Sequence, residues 1–205
     1  MPCYMVYSNR MNSPKTYVFF GIVGAGKGTQ IELLKKALAE SDTKQIVYVY
    51  PGNEFRKLTS AGTYTGTLVK QTLEAGELQP LFLTAWTFTQ AFLDMADANS
   101  HVIIDAFPRN LEQIPVLESA ISFYGRSNVE IVYIEISKEE AIKRMKLRGR
   151  SDDTDEGITR RFYEYETNVI PAMEEMQKKG YTLHKINGEQ PVEAVHGEMK
   201  AALGL

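Results

Sequence analysis

"FFGIVGAGKGTQIELLKKAL", residues 19–38, passes from an apolar run through a glycine-rich turn into a charged, helix-forming segment. Closely spaced glycines let a backbone fold tightly enough to turn several N–H groups inward, and the following helix aims the positive end of its dipole at the same spot. That combination is a phosphate cradle, formed here by Gly24, Ala25, Gly26, Lys27, Gly28 and Thr29. Lys27 adds a mobile cation for the outer phosphates, and the Thr29 hydroxyl is suited to ligate a Mg2+ ion bridging them. The general pattern has Ser or Thr directly after the lysine, whereas here Gly28 intervenes. A turn that only joined strand to helix would need neither the lysine nor this glycine spacing.

Working outward, strand-like runs rich in Val, Ile, Tyr and Phe occur at 16–20, 45–50, 101–107, 130–136 and 182–187, with helical segments between them. Several are apolar on both faces, as strands covered by helices on two sides require. Alternating strands and helices predict an α/β fold with a parallel sheet and right-handed crossovers, whose ligands gather at the carboxyl ends of the strands. The run "LFLTAWTFTQAFLDMA" from Leu81 is too short and too often interrupted by Thr and Gln to span a bilayer. It is expected to be a buried helix with Trp86 in the core.

The 205 residues, 43% hydrophobic and 24% charged, suit one globular domain, and no repeat or low-complexity linker divides them. A net charge of -3 leaves no basic footprint for nucleic acid or an anionic membrane, so a polyanionic ligand must be met by local positive charge. The single cysteine, Cys3, excludes an intramolecular disulfide framework and any multi-cysteine zinc site. Residues 1–15 read as a tail without the apolar core of a signal peptide. His101, His184 and His196 are unclustered and receive no catalytic role.

The segment "GAGKGTQ" resembles the phosphate loop of the adenylate kinase family of nucleoside monophosphate kinases, and further motifs follow in the family's order. "DAFPRN" (105–110) is similar to its Asp-Gly-Phe-Pro-Arg; "GNEFRKL" and "EAGELQP" resemble its monophosphate-binding segment; "RGRSDDTDEGITRRFYEYE" resembles its lid. The resemblance implies a P-loop three-layer sandwich with a five-stranded parallel sheet, a monophosphate-binding insert at 52–81 and a short lid at 148–160, all within a single domain over 1–205. It further implies a cytoplasmic, monomeric enzyme that uses ATP, a nucleoside monophosphate and Mg2+, with neither nucleic acid nor membrane as partner.

Seven of the nine arginines fall in these motifs: Arg56, Arg109, Arg144, Arg148, Arg150, Arg160 and Arg161. Planar guanidinium forks pair bidentately with phosphate oxygens, which suits a reaction that gathers many negative charges around one moving group. The resemblance assigns Gly52, Asn53, Arg56, Arg109 and Gln113 to the acceptor, Arg144 to the donor base, and Arg148, Arg150 and Arg161 to the transferring phosphate, with Lys27 and Arg109 catalytic. Arg160 has no matching role and is expected to be solvated. Asp105 is either a structural cap or a holder of the magnesium hydration shell; Asp152 and Asp153 either orient lid arginines or solvate a loop.

Gln113 stands where adenylate kinases place a glutamine that pairs with the adenine edge, which favours AMP. Pro51, Asn53 and Ala106 depart from the family's usual threonine, aspartate and glycine. The expected reaction is reversible transfer of the ATP γ-phosphate to AMP, giving two ADP. The alternatives are a UMP/CMP-type kinase on the same fold and a nucleotide-binding sensor without turnover.

Overall fold

In the computed structural model, residues 13–93, 98–149 and 154–205 are described, so Cys3 and most of the tail, together with Arg150, Asp152 and Asp153, lie outside the described residues. Among the described residues, five strands, β1 (Thr16–Phe20), β2 (Ile46–Val49), β3 (His101–Asp105), β4 (Val129–Glu135) and β5 (Thr182–Asn187), form one sheet in the order β2-β3-β1-β4-β5. Every adjacent pair is parallel.

Alternation along β1 explains the layering, because successive side chains of a strand point to opposite faces. Tyr17 and Phe19 enter one buried cluster with Leu34 and Leu38 of α1 (Lys27–Ser41) and Met199 of the carboxyl-terminal helix (Val192–Leu203). Val18 and Phe20 enter the other. There they meet Phe88 and Phe92 of the helix Leu81–Leu93, Leu117 of the helix Ile114–Phe123 and Met176 of the helix Ile170–Lys178. The sheet is thus the middle of three layers, and each fully buried side chain of this size contributes about 1.5–3 kcal/mol.

Between β2 and the helix at Leu81, the chain forms α2 (Pro51–Ser60) and α3 (Tyr64–Glu74), which share a small cluster of Phe55, Val69 and Leu83. The next helix, α4 (Leu81–Leu93), corrects the expectation for Trp86, which is 47% exposed. Its sheet-facing stripe is Thr84, Thr87, Phe88 and Phe92, so the helical period turns Phe82 and Trp86 outward. The buried threonines are tolerated because their hydroxyls donate to helix carbonyls, Thr84 to Pro80 at 2.8 Å and Thr87 to Thr84 at 2.9 Å.

The amino-terminal edge of the sheet is closed by polar contacts. Arg126 is buried there and donates through Nε to Thr16 Oγ1 at 2.6 Å and through Nη2 to the Ser100 carbonyl at 2.6 Å. His101 accepts from the Lys15 N–H at 3.1 Å and lies 3.1 Å from Asp42 Oδ2. The histidine thus serves the edge opposite the phosphate loop.

The third strand stops at Asp105, two residues short of its predicted end, because Ala106 turns to φ 61°. A Cβ crowds the backbone in this left-handed region, at a cost of order 1–3 kcal/mol. Ala106→Gly should therefore stabilise the fold by about 1 kcal/mol after allowing for the more flexible unfolded chain. Thermal unfolding should show a midpoint raised by roughly 2–4 °C; an unchanged or lowered midpoint would contradict strain at Ala106.

Candidate active site

The chain leaves β1 toward β2 but leaves β3 toward β4, on the other side of β1, so the connections diverge at the carboxyl ends of two adjacent strands. Such a switch point opens a crevice in a parallel sheet. Phe19 pairs with Asp105 in register, placing the start of the glycine loop beside the end of β3. The loop lies so close to the end of β4 that a Cβ on Gly21 would sit 2.6 Å from the Ile134 carbonyl oxygen. Gly26 caps α1 in the left-handed conformation, at φ 90°, and turns the chain into the helix.

Lys27 is the first residue of α1, and its Nζ donates to the carbonyls of Gly21 at 2.7 Å and Ile22 at 3.2 Å. Gly28 and Thr29 are exposed in the first helical turn, while Ala25 is buried beneath the loop. Arg144, on α6 (Lys138–Arg148) just after β4, flanks the same loop. Its Nε donates to Glu140 at 2.7 Å and its Nη2 to the Gly188 carbonyl at 3.0 Å, while Nη1 lies 4.0 Å from where Gly26 would carry a Cβ.

Asp105 is buried at the end of β3, and its Oδ2 accepts from the Tyr48 hydroxyl at 3.1 Å. Burial and the neighbouring Asp105 charge push the Tyr48 phenol well above the ordinary tyrosine value, so it stays protonated as the donor. The other carboxylate oxygen, Oδ1, is buried without a hydrogen-bond partner among the described residues. An orphaned acceptor of this kind carries a desolvation cost and fits a polar or cationic guest.

Lys27, Asp105, Arg109, Arg148 and Arg161 act on one another electrostatically. Burial draws the Lys27 ammonium below its ordinary value; Asp105 opposes this, and Arg109 and Arg148 add to it. Burial also lowers Arg109, against the pull of Tyr50, Asp105 and Glu164 and with the push of Arg161. Lys27 and Arg109 thus both feel the charge of Asp105, while Arg148 repels the first and Arg161 the second. Mutual repulsion of cations beside one crevice is relieved by a polyanion.

The acceptor candidates surround the other side. Gln113 is buried in the 3-10 turn Leu111–Gln113, and its Oε1 accepts from the Arg109 backbone N–H at 2.8 Å. Its side chain thus fixes the backbone that carries Arg109. Gly52 and Asn53 lie in the first turn of α2, where Asn53 Oδ1 accepts from Arg56 Nη2 at 2.5 Å. Arg56 is exposed and also stands over the Tyr50 ring, 5.3 Å from its centroid.

Arg160 is exposed, as a solvated side chain should be, and in addition its Nη1 lies 2.5 Å from Glu77 Oε1, joining α7 (Asp155–Glu164) to the segment after α3. Sequence spacing concealed this pair because its members are 83 residues apart. Tyr48, Tyr50 and Glu164 received no role from the sequence. The first two could have been marked by their alternation at the end of β2, which places them on one face. Glu164 precedes the π-helical segment Tyr165–Val169 and accepts from Asn168 Nδ2 at 2.7 Å.

Among the described residues, no helix is long and apolar enough to cross a membrane. Comparison with known proteins matches residues 19–181 to the family model described as adenylate kinase. Adenylate kinase 1 of Nostoc sp. is 33% identical over 187 residues, covering 91% of this chain and 97% of that protein. The adenylate kinases of Corynebacterium aurimucosum and Mycolicibacterium smegmatis are 32% and 33% identical, each over at least 91% of this chain and 98% of their own length. The match spans the phosphate loop, the Asp105 strand end and the arginine helices together: this chain belongs to the adenylate kinase family of ATP-dependent nucleoside monophosphate kinases.

Proposed function

We propose that the protein catalyses reversible transfer of the γ-phosphate of Mg-ATP to AMP, giving two ADP, as a cytoplasmic monomer. The observation that carries this reading is the coupling of Lys27 and Arg109 to buried Asp105 beside the glycine loop that holds the Lys27 ammonium, with Arg148 acting on Lys27 and Arg161 on Arg109. In this reading Arg150 joins that set.

Donor phosphates lie in the loop from Gly24 to Thr29, where backbone N–H groups and the amino-terminal end of α1 meet their charge. Lys27 exchanges its carbonyl contacts for oxygens of the outer phosphates, and Arg144 packs against the donor base. Asp105 and Thr29 fit a magnesium ion: one offers a buried oxygen without a partner, the other an exposed hydroxyl in the first helical turn. Magnesium at such sites is commonly bound by one or two protein groups together with substrate phosphates. Bound there, with Asp105 acting through water, magnesium would neutralise charge on the β- and γ-phosphates.

On the acceptor side, Arg109 and Arg56 hold the monophosphate with Gly52 and Asn53 beneath it, and the helix pair α2–α3 closes over it. A phosphate oxygen is already nucleophilic at neutral pH, so no side chain need remove a proton. That oxygen bonds to the γ-phosphorus as the bond from the γ-phosphorus to the bridging oxygen breaks, and the pair of electrons leaves with ADP. Arg109, Arg148 and Arg161 stabilise charge on the group in flight, and closure of the lid excludes the water that would otherwise take it. Gln113 Oε1 has a second lone pair besides the one used by Arg109, and its amide N–H groups complete a donor–acceptor pair for the adenine edge.

Lys27→Ala should reduce turnover by roughly 10²-fold or more, the scale of losing one charge-stabilising donor, with the circular dichroism spectrum unchanged. A coupled ADP-release assay with Mg-ATP across AMP, CMP, UMP, dCMP and GMP tests the whole reading; no turnover with any of them would leave a nucleotide sensor, and preference for CMP or UMP would make the protein a pyrimidine kinase.

Gln113→Leu removes both the adenine contact and the acceptor for the Arg109 N–H. The second loss affects every monophosphate alike, so the first appears as a difference. Unpaired polar groups cost about 1–3 kcal/mol, so kcat/KM for AMP should fall by roughly 5 to 150-fold more than that for CMP. Equal losses for the two acceptors would remove Gln113 from base recognition.

A further inference from the structure

Tyr50 stands beside Arg56, one of the cations assigned to the acceptor, although the family resemblance gives it no task. It caps the start of α2 directly after β2, at the carboxyl edge of the sheet. Its ring stacks on that of Tyr48, with centroids 6.0 Å apart and planes 20° from parallel. Tyr48 is itself held, with its hydroxyl on Asp105 and Lys35 Nζ 3.8 Å from its ring centroid. The Tyr50 ring is therefore supported from the same carboxylate that anchors the crevice.

Two contacts define what the ring faces. The Arg56 guanidinium stands 5.3 Å from its centroid. A Cβ on Gly52 would lie 2.6 Å from Tyr50 Cζ and 2.7 Å from its hydroxyl oxygen, so the phenol end covers Gly52 closely. Arg56 meets a neutral carboxamide at Asn53 and a neutral aromatic face, which orient the guanidinium without cancelling its charge.

We propose that Tyr50 is a positioning residue for the acceptor's phosphate, its ring holding the Arg56 guanidinium in place at the start of α2, at the carboxyl edge of the sheet. The inference rests on the proposed kinase activity and assigns Tyr50 to the phosphate, not to the base. Tyr50 acts through Arg56, so its removal weakens every monophosphate equally and leaves ATP untouched. Gly52 follows from the same arrangement: a side chain there would displace the ring.

Steady-state kinetics of the full chain test this with Tyr50→Leu and Tyr50→Phe. Tyr50→Leu should raise KM for AMP and for CMP by the same factor, roughly 3 to 30-fold, the range of a cation–aromatic contact, with KM for ATP unchanged. Tyr50→Phe keeps the ring and should stay within about 3-fold of the parent, on the same scale. In an Arg56→Ala background, Tyr50→Leu should have no further effect. Should Tyr50→Leu fail to fold, Tyr50→Met preserves bulk against Tyr48 without an aromatic face and is expected to give the same result. Unchanged KM for both monophosphates, an equal rise for ATP, a Phe variant as impaired as Leu, or full additivity with Arg56→Ala would each overturn the role. A parent inactive toward every monophosphate would instead sink the kinase reading, which separates the two failures.

Discussion

The half-buried ammonium of Lys27, resting on the carbonyls of Gly21 and Ile22, is the contact on which the architecture of the crevice turns. A cation can be kept there only because the loop turns its carbonyls back toward the first residue of α1, and that turn depends on glycine where the loop meets Ile134. Two backbone carbonyls accept two of the ammonium's three N–H hydrogens without neutralising it. The positive charge therefore remains for a ligand.

Two of the cations assigned to the acceptor are held by groups that do not extinguish them, whereas Arg144 beside the loop is paired with the Glu140 carboxylate. Arg56 is oriented by an amide and a ring, and Arg109 is fixed through its backbone by the Gln113 amide. Carboxylates enter at Asp105 and Glu164, and one of them is further occupied by the Tyr48 hydroxyl. Paired arginines would have to break strong ion pairs before meeting phosphate, whereas arginines held by neutral partners exchange weaker contacts for charge-assisted ones. The acidic net charge of the chain, -3, is no obstacle because the field that matters is local.

Long-range contacts tie the segments flanking the crevice to one another. The Arg160–Glu77 pair joins α7 to the end of the α2–α3 segment, and both members are about half exposed. Exposed pairs contribute about 0–1 kcal/mol, so this one links the two segments without locking them. Lys146 and Asp155 form a similar exposed contact between α6 and α7 at 3.0 Å. The sheet beneath is covered on both faces by the two apolar clusters.

Much of this was determined by the sequence alone. The five strand runs, the glycine loop with Lys27, and the α/β class follow from local composition and spacing, because period, turn chemistry and phosphate cradles are properties of neighbouring residues. Trp86 was misjudged because a helix apolar nearly all round does not reveal which stripe meets the sheet; the burial of Thr84 and Thr87, satisfied by helix carbonyls, decided it. The extent of β3 was hidden in Ala106, whose left-handed turn no propensity favours. Only the tertiary structure brought Tyr48 to Asp105 and Glu77 to Arg160. These partners lie far apart in the chain, and even Arg56 reaches the Tyr50 ring only once α2 has formed. The orphaned oxygen of Asp105 belongs to the same class, since a carboxylate shows its need for a partner only when packing has removed the water.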